Sequence, residues 1–340
     1  MRAVYRLLWA NRLLRSHRVK YLGAAVAHTL GIRHLVVRFD PIRACNLRCT
    51  MCYFSDEDYV RERKGRLTET EVEKLAADLF PLAYLVVVGC GAEPTMYKGF
   101  PELVRLARQN GVPHVSMVTN GILLTEEHVG QLIDYGLEEI MISAHGVTKE
   151  SYERFMVKSS FDKFHAALRM IGDVKRSRGS RTPELRLNYT VNADNLDELS
   201  GFFDAFGCYG ISTLQIRPVM DIGGQYRTQL AGADIERFRT IAAELGSKCK
   251  ALGITFLCNT ADPGYAGEPD TSLGLDAIHR YVGPDEVWRP DFDWRNESYA
   301  AFCKRSGWTS YLLRSALAPK AAVNAAGRLG KYGARYEVQF

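Results

Sequence analysis

Three cysteines in a short stretch of this chain have the spacing of metal ligands. Cys45, Cys49 and Cys52 form the pattern C-x3-C-x2-C directly after an apolar, strand-like segment. Cysteine thiolates are the ligands that hold iron–sulfur clusters in proteins. A [4Fe–4S] cluster bound by three thiolates keeps one iron open. The spacing therefore predicts a centre that can bind a small molecule and carry out chemistry on it.

Two other interpretations of the triplet are open from the residues alone. A structural zinc ion takes four ligands, commonly from two paired cysteine knuckles. The chain has no second C-x2-C pair, so a zinc site would need a lone fourth ligand. Free cysteine is also often a small buried hydrophobic residue, although three within eight residues of a turn are poorly explained in that way.

Three short elements follow the cysteines in an order that resembles the radical S-adenosylmethionine (SAM) superfamily. Gly91-Ala92-Glu93-Pro94 is similar to its GGEP element, and Val118-Thr119-Asn120-Gly121 is similar to its TNG strand end. Ile142-Ser143-Ala144-His145-Gly146 is similar to its SxDG strand end. The resemblance extends from Arg33 to Asp221.

The resemblance implies a cofactor pair and a reaction type. The three cysteines would hold one [4Fe–4S] cluster, whose open iron binds the amino and carboxylate groups of SAM. One electron from an external reductant of the flavodoxin or ferredoxin type would cleave SAM. The resulting 5′-deoxyadenosyl radical would abstract hydrogen from a small or medium organic substrate. The protein would orient SAM and place the substrate, because the chemistry belongs to the cofactor.

The resemblance also implies which residues contact SAM. The backbone of Gly91, Ala92 and Glu93 would meet the SAM amino group, since small residues allow close backbone approach. Asn120 ends the third strand and is a further cofactor candidate. Arg154 resembles a helix-start arginine that some members use for the SAM carboxylate, and an ordinary exposed helix charge is the alternative.

The chain departs from the superfamily pattern at three positions. Ala92 stands where Gly is common, His145 where Asp is usual, and Met51 where an aromatic residue commonly precedes the third cysteine. His145 is therefore a catalytic candidate that contacts substrate or moves a proton. A hydrogen-bonded rim histidine is the alternative. Tyr53 is the candidate to pack against adenine in place of Met51.

Strand alternation selects further side chains for the site. Apolar and polar residues alternate along residues 184–192. The apolar face should meet outer helices, so Asn188 on the polar face points inward and is a candidate for the SAM ribose or carboxylate. By the same alternation, Ser143 points to the same face of the sheet as His145, and Arg217 points to the same face as Gln215. Ser143 and Arg217 are therefore cofactor candidates as well.

The five other cysteines show no paired spacing; they are Cys90, Cys208, Cys249, Cys258 and Cys303. Auxiliary clusters in superfamily members lie in extensions with C-x2-C pairs, so a single cluster is predicted. Cys303 or Cys258 is a candidate hydrogen-atom donor, as in members that epimerise their substrates. A buried, unreactive cysteine is the alternative.

Composition and charge restrict the class of protein. The 340 residues are 46% hydrophobic and 24% charged, as is ordinary for a globular chain. We see no apolar run that predicts a transmembrane helix and no secretory signal. The clustered cysteines suggest a reducing compartment, so a cytoplasmic location is predicted.

Positive charge is concentrated at the two ends. Residues 1–39 contain eight Lys or Arg and no Asp or Glu, and residues 298–340 contain seven Lys or Arg and one Glu. The middle therefore has an acidic excess, which argues against a nucleic-acid partner for the catalytic body. The basic N-terminal segment also has an apolar stripe. It predicts peripheral contact with an anionic membrane, with a solvated helix packed on the barrel as the alternative.

Alternating strand and helix patterns predict an α/β fold. The predicted strands are His34–Asp40, Tyr84–Cys90, His114–Gly121, Glu139–Gly146, Glu184–Asn192 and Thr213–Met220. The predicted helices include Thr68–Leu79, Glu102–Asn110, Glu126–Tyr135, Phe161–Arg178 and Leu196–Phe206. The resemblance implies a partial (β/α)6 TIM-like barrel, and the pattern alone equally allows an open doubly wound sheet. Both bind ligands at the carboxyl ends of their strands, where every matched element lies.

Three segments are predicted along the chain: a basic helical segment 1–31, a core barrel 32–223, and an extension 224–340 that covers the substrate side. In the extension, the patterns predict a helix over Ala231–Leu252, a strand over Ile254–Cys258, a loop over Ala261–Asn296 and a helix over Trp308–Gly330.

The leading function is hydrogen abstraction from an organic substrate, and an anionic substrate, lipid-like or nucleotide-linked, would suit the basic ends. Dehydrogenation, epimerisation, rearrangement and carbon–carbon bond formation are all open. The alternatives are a peptide-modifying maturase and a non-catalytic iron–sulfur or zinc protein.

Overall fold

The computed structural model describes residue 14 and residues 16–226, 228–264, 275–319 and 337–339. The chain forms two compact units, each assembled from separate stretches. The first unit comprises residues 1–43, 65–116 and 269–333, and the second comprises residues 44–64, 117–268 and 334–340. The predicted division into segments 1–31, 32–223 and 224–340 stays a prediction. Within the described part of the chain, no helix has both the length and the apolar content required to span a bilayer.

Strands and helices alternate through most of the described chain. The strands are β1 (Leu35–Phe39), β2 (Ala83–Val88), β3 (His114–Thr119), β4 (Glu139–Ala144), β5 (Glu184–Val191), β6 (Ile211–Pro218), β7 (Thr255–Cys258), β8 (His279–Val282) and β9 (Glu337–Gln339). The α-helices are α1 (His17–Thr29), α2 (Glu57–Glu62), α3 (Glu69–Leu79), α4 (Phe100–Gln109), α5 (Glu126–Asp134), α6 (Lys149–Phe155), α7 (Phe161–Ser177), α8 (Phe202–Phe206), α9 (Ala233–Ala251), α10 (Leu275–Ile278), α11 (Tyr299–Arg305) and α12 (Trp308–Leu317).

The first unit is built on parallel strands in the order β8-β1-β2. In the register of β1, Leu35 lies beside Ala83 of β2, and Phe39 lies beside Val282 of β8. Alternate β1 side chains, including Val37, are completely buried. Strand alternation therefore places one face of β1 in the core, as expected for a strand covered by helices.

The second unit is built on the strand order β4-β5-β6-β7-β9, in which the first four strands are parallel and β9 is antiparallel to β7. On β5, Leu185, Leu187 and Tyr189 are buried while Arg186 and Asn188 are partly exposed. This is the alternation predicted for that strand. Strand β3 contains the boundary between the units, which falls between its third and fourth residues.

The helix starts follow local capping chemistry. Thr68 precedes α3, and its side chain accepts a hydrogen bond from the N–H of Glu71 at 3.2 Å. The Glu71 carboxylate accepts one from the N–H of Thr68 at 2.9 Å in return. This is the capping box predicted from the sequence, and it satisfies two backbone donors at the helix start.

Two sequence predictions were wrong. The segment Ala261–Asn296, predicted as loop, contains α10 and β8, and β8 pairs with β1. Strand β8 has four residues, and one of them, Arg280, is charged and yet completely buried. The strand therefore lacks the apolar run by which a buried strand is predicted from sequence. The predicted helix Leu196–Phe206 is a 3₁₀ turn over Asp197–Gly201 followed by the short helix α8.

The other predicted elements are present with bounds shifted by a few residues. The predicted parallel α/β fold class is confirmed by the pairing of β1 with β2 and β8 and by the run from β4 to β7. The predicted helix Trp308–Gly330 is α12 in its first part, and residues 320–330 lie outside the described residues. Residues 1–13 of the predicted N-terminal helices also lie outside them.

Candidate functional site

The cysteine loop in the second unit is anchored by apolar residues between its cysteines and directly after them. Leu47, Met51 and Phe54 are at most 5% exposed. Cys45, Cys49 and Cys52 are only partly buried, and none of them forms a disulfide. The loop therefore buries its apolar side chains and leaves its thiols nearer the surface, which is what a ligand loop requires.

Hydrogen bonds fix this loop to three neighbouring segments of the same unit. The N–H of Thr50 donates to the carbonyl of Phe155 at 3.0 Å, and the N–H of Tyr226 donates to the carbonyl of Thr50 at 2.8 Å. The side-chain amide of Asn120 donates to the Asn46 side-chain oxygen at 2.8 Å. Asn120, predicted as a cofactor contact, is thus also a support of the cysteine loop.

Gly224 lies directly against the cysteine loop. A β-carbon at this position would be 2.6 Å from the carbonyl carbon of Met51 and 2.7 Å from the backbone nitrogen of Cys52. Its neighbour Gln225 donates a backbone hydrogen bond to the Ser55 hydroxyl at 3.0 Å. Only glycine allows this approach without a shift of backbone. The sequence signal for this role, absent from the predictions above, is the pair Gly223-Gly224 that follows β6.

The donor set fits an iron–sulfur cluster. Among the described residues, no three His, Cys, Asp or Glu side chains are gathered for a single metal ion. A [4Fe–4S] cluster does not require such convergence, because each thiolate binds a different iron. The N–H of Leu47 donates to the sulfur of Cys45 at 3.4 Å, the kind of hydrogen bond that stabilises a thiolate ligand. Cys45, Cys49 and Cys52 are the residues that would hold the cluster.

Three polar residues of the second unit lie side by side across β4, β5 and β6. Ser143 is the register partner of Asn188, and Asn188 is the partner of Gln215. Ser143 and Asn188, both predicted to point inward, therefore lie beside each other, and their contact with SAM stays a prediction. The side-chain oxygen of Asn188 accepts a hydrogen bond from Arg186 at 2.8 Å, and Arg186 also donates to Gln215. Arg186 thus orients this polar row, a role that the sequence prediction missed.

His145 and Arg217 lie near the carboxyl ends of β4 and β6 in the second unit. Burial, together with the positive charge of Arg217, lowers the pKa of His145 to about 4. The imidazole is therefore neutral at neutral pH. Its Nδ1 lies 2.7 Å from the carbonyl of Ala144. A carbonyl only accepts, so Nδ1 carries the proton and Nε2 is the acceptor.

A pair of buried asparagines secures the backbone around His145. Asn195 donates to the carbonyl of His145 at 3.0 Å and to the carbonyl of Thr190 at 3.1 Å. The side-chain amide of Asn192 lies 3.2 Å from the sulfur of Met51 in the cysteine loop. These residues join the ends of β4 and β5 to the cysteine loop. Their sequence signal is the run Asn192-Ala193-Asp194-Asn195, which follows a strand.

The glycine element of the first unit is held by a carboxylate. Asp40 is 1% exposed, and its two oxygens accept hydrogen bonds from the N–H of Cys90 at 2.7 Å and of Gly91 at 2.8 Å. The hydroxyl of Tyr281 on β8 donates to the same carboxylate at 2.9 Å. The carboxylate of Glu93 accepts from the Thr95 hydroxyl at 2.6 Å. The backbone of the Gly91 element is thus fixed on both sides.

Three other predicted residues have surroundings that bear on their roles. Arg154 is half exposed and lies 3.9 Å from the carboxylate of Asp194, as expected of an ordinary helix surface charge. Tyr53 packs against the ring of Tyr59 at 4.6 Å between centroids. Cys303 is 4% exposed, and burial raises its pKa, as expected of an unreactive core cysteine. Their predicted roles stay predictions.

Comparison with known protein families identifies the part of the chain that contains these elements. The family model of the radical SAM superfamily matches residues 39–183. These residues, a little under half of the chain, match the radical SAM domain. Enzymes with this domain use a [4Fe–4S] cluster and SAM, so the predicted cofactor pair is that of the superfamily. The match begins at the end of β1 and includes the cysteine loop, the glycine element and the end of β4.

Curated relatives share the radical SAM domain. The Fe-coproporphyrin III synthase of Methanosarcina barkeri is 32% identical over 170 residues, which cover 50% of this chain and 40% of that protein. A probable GTP 3′,8-cyclase of Metallosphaera sedula is 27% identical over 186 residues, which cover 54% of this chain and 56% of that protein. The chain spans about half the length of these relatives.

Solved structures support the fold of the radical SAM domain. Streptococcus suis SuiB bound to S-adenosylmethionine has a TM-score of 0.59 and 14% sequence identity, covering 78% of this chain and 62% of that one. The enzyme anSMEcpe with bound AdoMet has a TM-score of 0.52 and 18% identity, covering 65% of this chain and 60% of that one. At these identities the likeness concerns the fold alone.

Proposed function

We propose that this chain is a radical SAM enzyme acting on an organic substrate. The observation that carries the proposal is the cysteine loop. Its three thiols are partly buried, its apolar side chains are packed in the core, and it lies within the residues that match the radical SAM domain. When bound, the cluster and SAM supply reductive cleavage of a carbon–sulfur bond and hydrogen abstraction from carbon. The chain's own residues bind, orient and protect that chemistry.

Two sets of residues bind SAM in this proposal. The backbone of Gly91, Ala92 and Glu93 receives the SAM amino group, and the Asp40 hydrogen bonds keep that backbone in place. The polar side chains on the second unit's strands, Ser143, Asn188 and Arg217, bind the carboxylate and ribose, supported by their shared phase in the sheet. The remaining candidates are Tyr53 for adenine, Asn120 and Arg154.

His145 is the residue best suited to move a proton in the proposed site. Its neutral ring presents an unprotonated Nε2, because Nδ1 donates to the Ala144 carbonyl. Nε2 can accept a proton or a hydrogen bond from substrate. The Arg217 charge that disfavours imidazolium also lies near this ring. Cys303 is the candidate hydrogen-atom donor for the case in which the reaction is an epimerisation.

We propose an anionic substrate for the enzyme. The named compounds of two curated relatives, an iron coproporphyrin and GTP, carry carboxylates or phosphates. Because the chain spans only about half of those proteins, their reactions are guides to the chemical class and no more. A peptide substrate is the alternative.

The central experiment measures the cluster and SAM cleavage together. After anaerobic reconstitution, the wild-type chain should hold about four irons and four sulfides. With dithionite and SAM it should release 5′-deoxyadenosine. Replacing Cys45, Cys49 and Cys52 by Ala should remove both signals. A panel of deuterated anionic metabolites should then identify the substrate through deuterium in 5′-deoxyadenosine.

The matched control is the double variant Cys258→Ala/Cys303→Ala, which removes two cysteines outside the loop. It should keep its iron content and its SAM cleavage. A loss of about four irons in this control would reveal a second cluster. A triple loop variant that retains its iron, or a wild-type chain that binds zinc and no iron, would refute the proposed enzyme class.

A further inference from the structure

An aliphatic face of helix α1 lies exposed on the first unit. Val19, Leu22, Val26 and Leu30 are 48–67% exposed. Their spacing of three or four residues places them on one side of the helix. The opposite side is buried through Tyr21, Ala24 and Ala25. The helix therefore has two apolar faces, and only one of them is used by the fold.

Helix α12 adds two exposed leucines to the same unit. It packs against α1 within the same unit, and its residues Leu313 and Leu317 are 45% and 76% exposed. We call the six side chains Val19, Leu22, Val26, Leu30, Leu313 and Leu317 the aliphatic surface. A solvated helix packed on the core would present polar residues at these positions.

The exposed aliphatic residues are concentrated and not scattered. Eleven large hydrophobic side chains are exposed among the residues that the structure describes. Besides the six of the aliphatic surface, Leu14 and Ile32 belong to the segments that flank α1. Only Met96, Leu123 and Leu252 lie elsewhere. Isolated exposed hydrophobic residues are common, whereas a contiguous group marks an interaction surface.

The charges that α1, α12 and their flanking segments carry are all positive. Residues 1–39 contain no Asp or Glu, and neither do residues 298–319. Arg18 on α1 and Arg314 on α12 are exposed beside the aliphatic residues, and Lys20 is partly exposed. Because two identical basic faces repel each other, a second copy of the chain is a poor occupant. The aliphatic surface is complementary to a partner that has an apolar interior beneath a negatively charged surface.

We propose that the aliphatic surface binds the face of an anionic phospholipid bilayer. Helix α1 would lie in the plane of the interface, with its exposed aliphatic side chains among the acyl chains and its basic residues at the headgroups. The inference goes beyond the proposed enzyme activity and does not depend on it. The proposal also assigns one function, attraction to anionic headgroups, to the positive charge at both ends of the chain.

Vesicle flotation of the reconstituted full-length protein tests this proposal. The wild type should float with vesicles of phosphatidylcholine mixed with phosphatidylglycerol, less at high salt, and not with phosphatidylcholine alone. Leu22→Ser/Val26→Ser/Leu313→Ser should raise the lipid concentration for half-maximal binding at least about tenfold, because it removes the inserted aliphatic groups. Arg18→Gln/Arg314→Gln should do the same through lost attraction to the headgroups.

The control variant Leu123→Ser/Leu252→Ser changes two exposed leucines of the second unit and should bind vesicles as the wild type does. Thermal unfolding and iron content, measured for every variant, show that the fold and the cluster are intact, and release of 5′-deoxyadenosine shows that SAM cleavage is unaffected. Failure of the wild type to bind anionic vesicles overturns the proposal. Unchanged binding by the aliphatic variant overturns it too, as does a solution dimer that this variant disperses.

Discussion

Single buried polar residues hold the backbone of the candidate site in place. Asp40 accepts the N–H groups of Cys90 and Gly91, and Asn195 holds the carbonyl of His145. Buried polar groups are stable only when their hydrogen bonds are made. Each of these residues therefore specifies one backbone arrangement, and small changes to its chemistry should be measurable.

Asp40→Asn should weaken SAM binding by about 1–2 kcal/mol, because an amide accepts at one oxygen where the carboxylate accepts at two. One of the two backbone N–H groups would then face an amide donor. Isothermal titration of SAM into the reconstituted variant measures the effect. Asp78→Asn is the control, since Asp78 lies on α3 of the same unit, where its carboxylate accepts from Lys74 at 2.9 Å. Equal affinity in the two variants would show that Asp40 does not position the SAM-binding backbone.

The lowered pKa of His145 predicts a pH dependence of stability in the cluster-free chain. The unfolded chain takes up a proton on this residue below pH 6.5, whereas the folded chain resists until about pH 4. Acid therefore favours unfolding across that window. Between neutral pH and about pH 5, the free energy of unfolding should fall by roughly 2 kcal/mol more in the wild type than in His145→Gln, since one pKa unit corresponds to about 1.4 kcal/mol. Urea unfolding at several pH values measures this, and parallel curves for the two proteins would contradict it.

At the scale of elements, the cysteine loop depends on neighbours that are remote in sequence. The segment of Gly224, Gln225 and Tyr226 packs on it and hydrogen-bonds to it. This segment follows β6, about 170 residues after the loop. The loop conformation is thus set by the complete second unit and not by the loop sequence alone.

Gly224→Ala should reduce the iron content of the reconstituted protein. Its β-carbon would be within 2.7 Å of the Cys52 backbone nitrogen, so the ligand loop must move. Gly172→Ala is the control, because the new β-carbon meets only the Arg176 side chain at 3.6 Å and alanine favours the helix. Iron per chain and the visible absorption of the cluster are the measurements. Full occupancy in Gly224→Ala would show that the loop tolerates this displacement.

At the scale of the molecule, the last part of the chain completes the core of the first unit. Strand β8 pairs with β1 and carries Arg280, which is completely buried. The guanidinium lies 3.7 Å from the centroid of the Trp288 ring, and it donates to the Tyr299 hydroxyl at 3.0 Å. A desolvated cation over an aromatic ring contributes about 2 kcal/mol or more. Charge is therefore part of this core.

Arg280→Ala should lower the free energy of unfolding by about 3–5 kcal/mol, because it removes the stacking and leaves a cavity. The matched control is Arg295→Ala. Its guanidinium lies 3.9 Å from the centroid of Trp294, but the side chain is 54% exposed. Exposed pairs contribute about 0–1 kcal/mol. Denaturant unfolding measures the loss of unfolding free energy in both variants. Equal losses would show that the buried Arg280 stabilises the fold no more than the exposed Arg295 does.

The sequence by itself determined the spacing of the cysteine triplet, the alternation of strands and helices, and most element bounds. These depend on local spacing and on side-chain period, which a linear sequence displays. The capping box at Thr68 was predicted for the same reason. The roles of the SAM-contact residues stay predictions.

Only the tertiary structure decided which distant residues support those elements. Asp40, Asn195 and Gly224 act through contacts with chain segments that lie far away in sequence, and no local pattern encodes such contacts. Strand β8 was missed because its burial depends on Arg280 stacking among aromatic rings and not on an apolar run. Exposure of the aliphatic side of α1 was likewise decided by packing, since a helix with two apolar faces does not reveal from its sequence which face the core will cover.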